Sequence, residues 1–178
     1  VAAPDPAVIG NIDVMDDDAP GLLEAPEKRP NELVDRTNRI LHLSPGKATG
    51  RIVGGNLTLI AALMGTPFEI ETAGNILVLE DVDEDIYRID RMLTQLALAG
   101  KFHRAAGVVF GRCTDCGDRN SGFSLEDILR DRFGAMSVPA ISGLSFGHIE
   151  NKLTLPIGGM AALDADEGTL ALIENAVR

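Results

Sequence analysis

Ile76-Leu77-Val78-Leu79-Glu80-Asp81 is the stretch on which the fold turns. Its four apolar residues form an unbroken run, too short for a buried helix. Such a run reads as a strand covered on both faces, as in the parallel sheet of an α/β protein. Glu80 stands at the carboxyl end of that strand, where open α/β sheets put ligand-handling groups, although a strand's exit into solvent accounts for it equally well. Downstream, Ile86–Ala99 carries Ile89, Met92, Leu93 and Leu96 at helical spacing and stops at Gly100, and Ala106–Phe110 is another buried strand. Upstream, Arg51-Ile52-Val53 leads into a tight turn at Gly54-Gly55. Asn56 then caps a helix over Leu57–Met64 that Gly65 and Pro67 end. Ser124-Leu125-Glu126-Asp127 opens a further helix with a capping-box signature, closed by Gly134, and Val138–Ile141 is a fourth strand. The last third changes character: Leu153–Ile157, Met160–Leu163 and Thr169–Ile173 read as short strands, the last two joined as a hairpin by Asp164-Ala165-Asp166-Glu167-Gly168. The fold class is therefore α/β, with a late antiparallel β portion.

The 178 residues, 45% of them apolar, suffice for one domain at roughly 150 residues per domain. The 27 acids outweigh the 16 basic residues for a net charge of −11, which argues against nucleic acid or an anionic membrane as partner. No apolar run approaches the roughly 20 residues of a membrane-spanning helix. Residues 1–50 differ from the rest and read as a linker or the remnant of an N-terminal domain, irregular and acidic. The first 30 of them hold five of the nine prolines and seven acids. Within them Val8–Val14 is the one strand-like patch, and Asp16-Asp17-Asp18 reads as a solvated loop rather than a metal site. The regular domain is expected over 51–178. A chain that opens on Val1 without an initiating Met is expected to be processed or a fragment.

Three histidines can be weighed singly. His42 reads as a partly buried structural residue and His103 as a solvated one in a loop after a helix. His148 follows Phe146-Gly147 at an expected strand end, where glycine lets the backbone bend and present the ring, as at α/β active sites. The acids Asp81, Asp83, Glu84 and Asp85 fail the calcium-loop template, because Ile86 stands at the turn glycine and Met92 at the bidentate glutamate. Cys113-Thr114-Asp115-Cys116 lacks the second pair that zinc needs and runs on into a loop, so neither a metal nor a redox role is expected, nor a structural disulfide. Gly54-Gly55-Asn56 could aim N–H groups at an anion, but a turn and a helix cap explain it. Ser121, Ser124, Ser142 and Ser145 lack a G-x-S-x-G elbow. Read from residues alone, the chain offers a base and a carboxylate without a nucleophile.

Gly54-Gly55-Asn56-Leu57, Leu79-Glu80-Asp81-Val82, Tyr87-Arg88-Ile89-Asp90-Arg91-Met92-Leu93, Phe146-Gly147-His148 and Leu155-Pro156-Ile157-Gly158 occur in this order. Together they resemble the C-terminal part of the LD-carboxypeptidase family of serine peptidases, from about Arg51 to the end. The resemblance implies a swivelling β/β/α-type domain with a mixed sheet, carrying Glu80 and His148 of a Ser-Glu-His triad. Asn56 and Gly147 are candidates for substrate binding. The family's Gly-x-Ser-Asp turn is absent from this sequence, so the nucleophilic Ser is expected on a missing N-terminal domain and this chain alone is expected to be inactive. The implied substrate is a murein tetrapeptide that loses its terminal D-alanine, in the cytoplasm and without metal or organic cofactor. The rivals are hydrolysis of peptidyl- or aminoacyl-nucleotides, as in the microcin C immunity branch, and a non-catalytic peptide-binding domain. A homodimer through the Ile86–Ala99 helix or the hairpin near Asp164 is conceivable, but a core-facing helix is the better default.

Overall fold

The computed structural model describes residues 7–9, 39–117 and 122–174. The elements in order are β1 (Ala7–Ile9), β2 (Leu41–Ser44), β3 (Lys47–Asn56), α1 (Leu57–Leu63), β4 (Ile76–Val82), α2 (Ile86–Leu98), α3 (Lys101–Arg104), β5 (Gly107–Thr114), α4 (Leu125–Phe133), β6 (Ala140–Ser142), β7 (Met160–Asp164) and β8 (Thr169–Leu172). They build one mixed sheet of order β1-β8-β7-β3-β4-β5-β6-β2. β3, β4, β5 and β6 are parallel neighbours, and the strands outside them pair antiparallel. The mixed α/β architecture with late antiparallel strands is as expected. The acid triplet at 16–18 and the part of the Val8–Val14 patch beyond Ile9 lie outside the described residues.

β4 is buried on both faces, and its alternation divides the core in two. Leu77 and Leu79 join Leu57, Ile60, Ile89, Met92, Leu93, Leu96 and Phe133 beneath the helices. Ile76 and Val78 face the other way, into a cluster with Ile52, Val109, Leu144, Phe146, Leu163 and Leu170. That second cluster unites side chains from β3 through β8, because the sheet curls over itself: a Cβ at Gly107 would stand 2.6 Å from a methyl of Leu163. The curl is led by β3, whose first half pairs with β7 and whose second half pairs with β4. α2 turns Ile86, Ile89, Met92, Leu93 and Leu96 into the helical core, so its apolar stripe is spent within the chain.

Local signals account for most element ends. The Asn56 side chain accepts from the Leu59 N–H at 3.1 Å, and Ser124 with Asp127 forms the reciprocal capping box of α4. Four expectations need correction. Residues 1–50 are not irregular throughout: Leu41–Ser44 pairs with β6 and Lys47 already begins β3, so the boundary at 51 falls inside a strand. Leu153–Ile157 forms no strand. Its Pro156 has no N–H to give, and the Leu153 N–H is committed to Ser145 O at 2.7 Å, so the segment drapes over the inner core instead. His103 lies on the short α3 rather than in a loop, although exposed as expected. His42 is exposed rather than partly buried, and its Nδ1 lies 2.7 Å from Ala165 O, tying β2 to the β7–β8 turn.

Two features invite measurement. The chain at Gly54 passes so close to β4 that a Cβ there would overlap the Val78 carbonyl, whereas one at Gly55 would meet nothing within 4 Å. Both have positive φ, +135° and +145°. Gly55→Ala therefore carries only backbone strain, about 1–3 kcal/mol, and Gly54→Ala adds a clash of about the same size. Thermal unfolding followed by circular dichroism should rank Gly54→Ala well below Gly55→Ala.

The second feature is Lys101, whose side chain is only 3% exposed. Its Nζ donates to Ile70 O at 2.7 Å and lies 2.6 Å from Glu69 Oε1. The Lys101 ammonium holds the Glu69 carboxyl below the usual glutamate range. As pH falls, the unfolded chain therefore takes up this proton before the folded one, and stability is lost. The melting-temperature gap between wild type and Glu69→Gln should be full above about pH 5 and close as pH falls below about 4.3.

Candidate functional site

Strand parity brings the candidates together. Val78 faces the inner cluster and Leu79 the helices, so Glu80 projects inward and Asp81 toward α1. Opposite Glu80 the β4–β5 register shifts: Leu79 pairs with Phe110 but Asp81 pairs with Cys113, leaving Gly111 and Arg112 facing a single residue. This bulge shapes the ground on which the β6–β7 connection sits. A Cβ at Gly111 would stand 2.6 Å from the Phe146 ring, and the Arg112 N–H donates to Phe146 O at 3.0 Å. Gly147 then turns the chain at φ +117°, where a Cβ would lie 2.9 Å from Arg112 O and 3.0 Å from Glu80 Oε2.

His148 emerges from that turn with Nδ1 2.7 Å from Glu80 Oε2. An ionised carboxylate can only accept, so the Nδ1 hydrogen donates and the lone pair is left on Nε2, at the far side of the ring. The Glu80 side chain is 10% exposed while His148 is 55% exposed. The carboxylate is thus held in the sheet and the ring is offered to the outside. A cavity of about 270 Å³ adjoins the pair, walled by Gly55, Val78, Phe146, Gly147, Lys152, Leu153, Leu155 and Ile157. None of the side chains lining it carries a hydroxyl or thiol. The arrangement can take a proton at Nε2 and stabilise the resulting imidazolium.

Asn56 and Gly147 stand beside the pair in different capacities. Asn56 is level with Glu80 in the β3–β4 register, but its amide is committed: Oδ1 caps α1 and Nδ2 donates to Asp81 Oδ1 at 3.0 Å. Gly147 supplies the turn that lets imidazole meet carboxylate. Sequence reasoning missed Asp81. Although 2% exposed, it also accepts from Thr58 N, Thr58 Oγ1 and Val82 N, each at 2.9 Å, and so anchors the start of α1 to the strand that carries Glu80. The strand alternation that assigns Glu80 inward would have found it. Lys152 was also missed, because a loop has no periodicity to say which way its residues face. Cys113 and Cys116 form a disulfide across 5.4 Å between α-carbons, correcting the expectation of a chain without one. The backbone reverses at Asp115, with φ +54°, and so returns Cys116 to its partner. Among the described residues, no group of three or more His, Cys, Asp or Glu could hold a metal ion, and no helix is long and apolar enough to cross a membrane.

Residues 49–163 match a family model described as the LD-carboxypeptidase C-terminal domain. The chain is 44% identical over 141 residues to the probable murein peptide carboxypeptidase of Bacillus subtilis, covering 78% of this chain and 44% of that protein. A crystal structure of muramoyltetrapeptide carboxypeptidase from Oxalobacter formigenes aligns with a TM-score of 0.64 at 36% identity, over 71% of this chain and 45% of the other. The microcin C7 self-immunity protein MccF in its apo state aligns with a TM-score of 0.71 at 25% identity, over 79% and 42%. The chain thus spans less than half the length of these relatives.

A Cβ at Gly147 would come within 3.0 Å of Glu80 Oε2. Gly147→Ala should therefore part the pair while leaving the sheet in place. The check is the Nδ1 proton of His148 by NMR: a hydrogen-bonded, slowly exchanging signal in wild type that is lost in the variant.

Proposed function

This chain belongs to the LD-carboxypeptidase family, and from that premise we propose that it supplies the histidine and glutamate of a serine carboxypeptidase acting on murein tetrapeptides. The observation that carries the reading is the short Glu80–His148 contact facing a cavity whose lining side chains carry no hydroxyl or thiol. In the proposed reaction a serine from an N-terminal domain outside these residues attacks the carbonyl of the last peptide bond. His148 Nε2 takes the serine proton and delivers it to the amine of the departing D-alanine; water, deprotonated by the same nitrogen, then frees the acyl group. Glu80 fixes the tautomer and offsets the positive charge that develops on the ring. The oxyanion hole is assigned to backbone N–H groups beside the serine, outside this chain.

The reaction draws its nucleophile and base from side chains and so calls for no cofactor. Cytoplasmic recycling of wall peptides is the setting it suits. The greater identity to the muramoyltetrapeptide enzyme, 36% against 25% for MccF, favours a peptide over a nucleotide conjugate.

In the full-length protein, Glu80→Gln should lower kcat by about 10²–10⁴-fold with KM little changed, and His148→Ala by at least as much. Release of D-alanine from a murein tetrapeptide is the measurement. Unchanged turnover in Glu80→Gln would remove the glutamate from the mechanism, and turnover by residues 1–178 alone would overturn the assignment of the serine to another domain.

A further inference from the structure

An enzyme that removes only the last residue of a peptide must tell a terminal bond from an internal one, and the chemical difference is a free carboxylate one residue past the scissile carbonyl. Consecutive α-carbons lie about 3.8 Å apart, so that carboxylate falls within the same small cavity as the proton-transferring histidine. Burying it against apolar walls is costly unless a cation meets it.

Among the residues lining the cavity beside His148, Lys152 is the only cation. Glu80, the one anion there, is engaged by His148. Elsewhere on this acidic chain several cations are drawn into ion pairs, as with Lys47–Asp164, Lys101–Glu69 and Arg132–Asp90, while Arg91 and Arg104 form none among the described residues. Lys152 forms no ion pair among the described residues, although Glu150 is close by in sequence. Its backbone is fixed relative to the histidine. The next residue, Leu153, donates its N–H to Ser145 O at 2.7 Å, and Ser145 leads directly into the Phe146-Gly147-His148 turn. Lys152, an exposed residue, and His148 are therefore carried on one short, pinned loop that lines a common cavity. The walls beyond them, Leu153, Leu155 and Ile157, offer apolar contact to a small side chain.

We infer that Lys152 is the specificity residue for the leaving end of the substrate. Its ammonium pairs with the free α-carboxylate of the residue to be released, making the site an exopeptidase site. The inference deepens the peptidase reading above and rests on it.

The test is steady-state kinetics of the full-length protein on a murein tetrapeptide ending in a free carboxylate and on the same peptide ending in an amide, for wild type, Lys152→Met, Lys152→Gln and Lys152→Arg. For the acid, Lys152→Met and Lys152→Gln should each raise KM about 10- to 100-fold, the worth of one charge-assisted hydrogen bond, with kcat within about threefold. For the amide, wild type and both variants should be equally poor, and Lys152→Arg should recover most of the lost affinity. An acid-to-amide preference unchanged by Lys152→Met and Lys152→Gln overturns the inference while leaving the peptidase reading intact. Equal losses on both substrates, or no recovery in Lys152→Arg, likewise overturn it by exposing a structural role. Wild-type protein that cleaves neither peptide overturns the peptidase reading itself, and the inference falls with it.

Discussion

Everything in this domain hangs on a strand that has no solvent face. Because β4 is covered by helices on one side and by the curled sheet on the other, each of its residues has only one place to go. A register slip of one residue would exchange Leu77 and Leu79 with Ile76 and Val78 and would carry Glu80 to the helix side, away from His148. Correct packing of the core and correct aim of the carboxylate are thus the same condition. The close approach of Gly54 to Val78 adds a second lock, since the two central parallel strands can lie this close only where one of them has no side chain.

The two carboxylates at the end of β4 divide the labour by facing opposite ways. Asp81 is absorbed into structure, gathering Asn56, Thr58 and the Val82 N–H around one buried charge and fixing how α1 leaves β3. Glu80 makes its side-chain contact with an imidazole that the fold delivers from a loop far along the chain. The bulge at Gly111–Arg112 makes room for Phe146, and Phe146 sets the height at which Gly147 turns. Packing and backbone hydrogen bonds therefore hold the pair in place. The imidazole ring is half exposed, and no side chain lining the cavity carries a hydroxyl or thiol.

Much of the fold is legible along the chain. The apolar run at 76–79, the helical stripe of α2, the Asn56 cap, the capping box at Ser124 and the terminal hairpin all rest on neighbours within a few residues. What resisted reading has a physical reason in each case. β2 is four residues long and its apolar alternation is too brief to register, so it exists through pairing with β6 rather than through its own pattern. Leu153–Ile157 looks like a strand by composition, yet no edge accepts it and its prolyl nitrogen cannot bond. The cysteines read as unpaired because spacing carries no information about the reversal at Asp115 that joins them.

The sequence by itself determined the succession of strands and helices and singled out a strand-end glutamate and a glycine-led histidine, because backbone preference and periodicity act over short range. Only the tertiary structure decided that those residues, separated by 68 positions, meet at hydrogen-bonding distance, and that Lys152 shares their cavity. The physical reason is that such contacts depend on how a curled sheet returns its late loops over its own inner face, a long-range consequence of packing that no local pattern encodes.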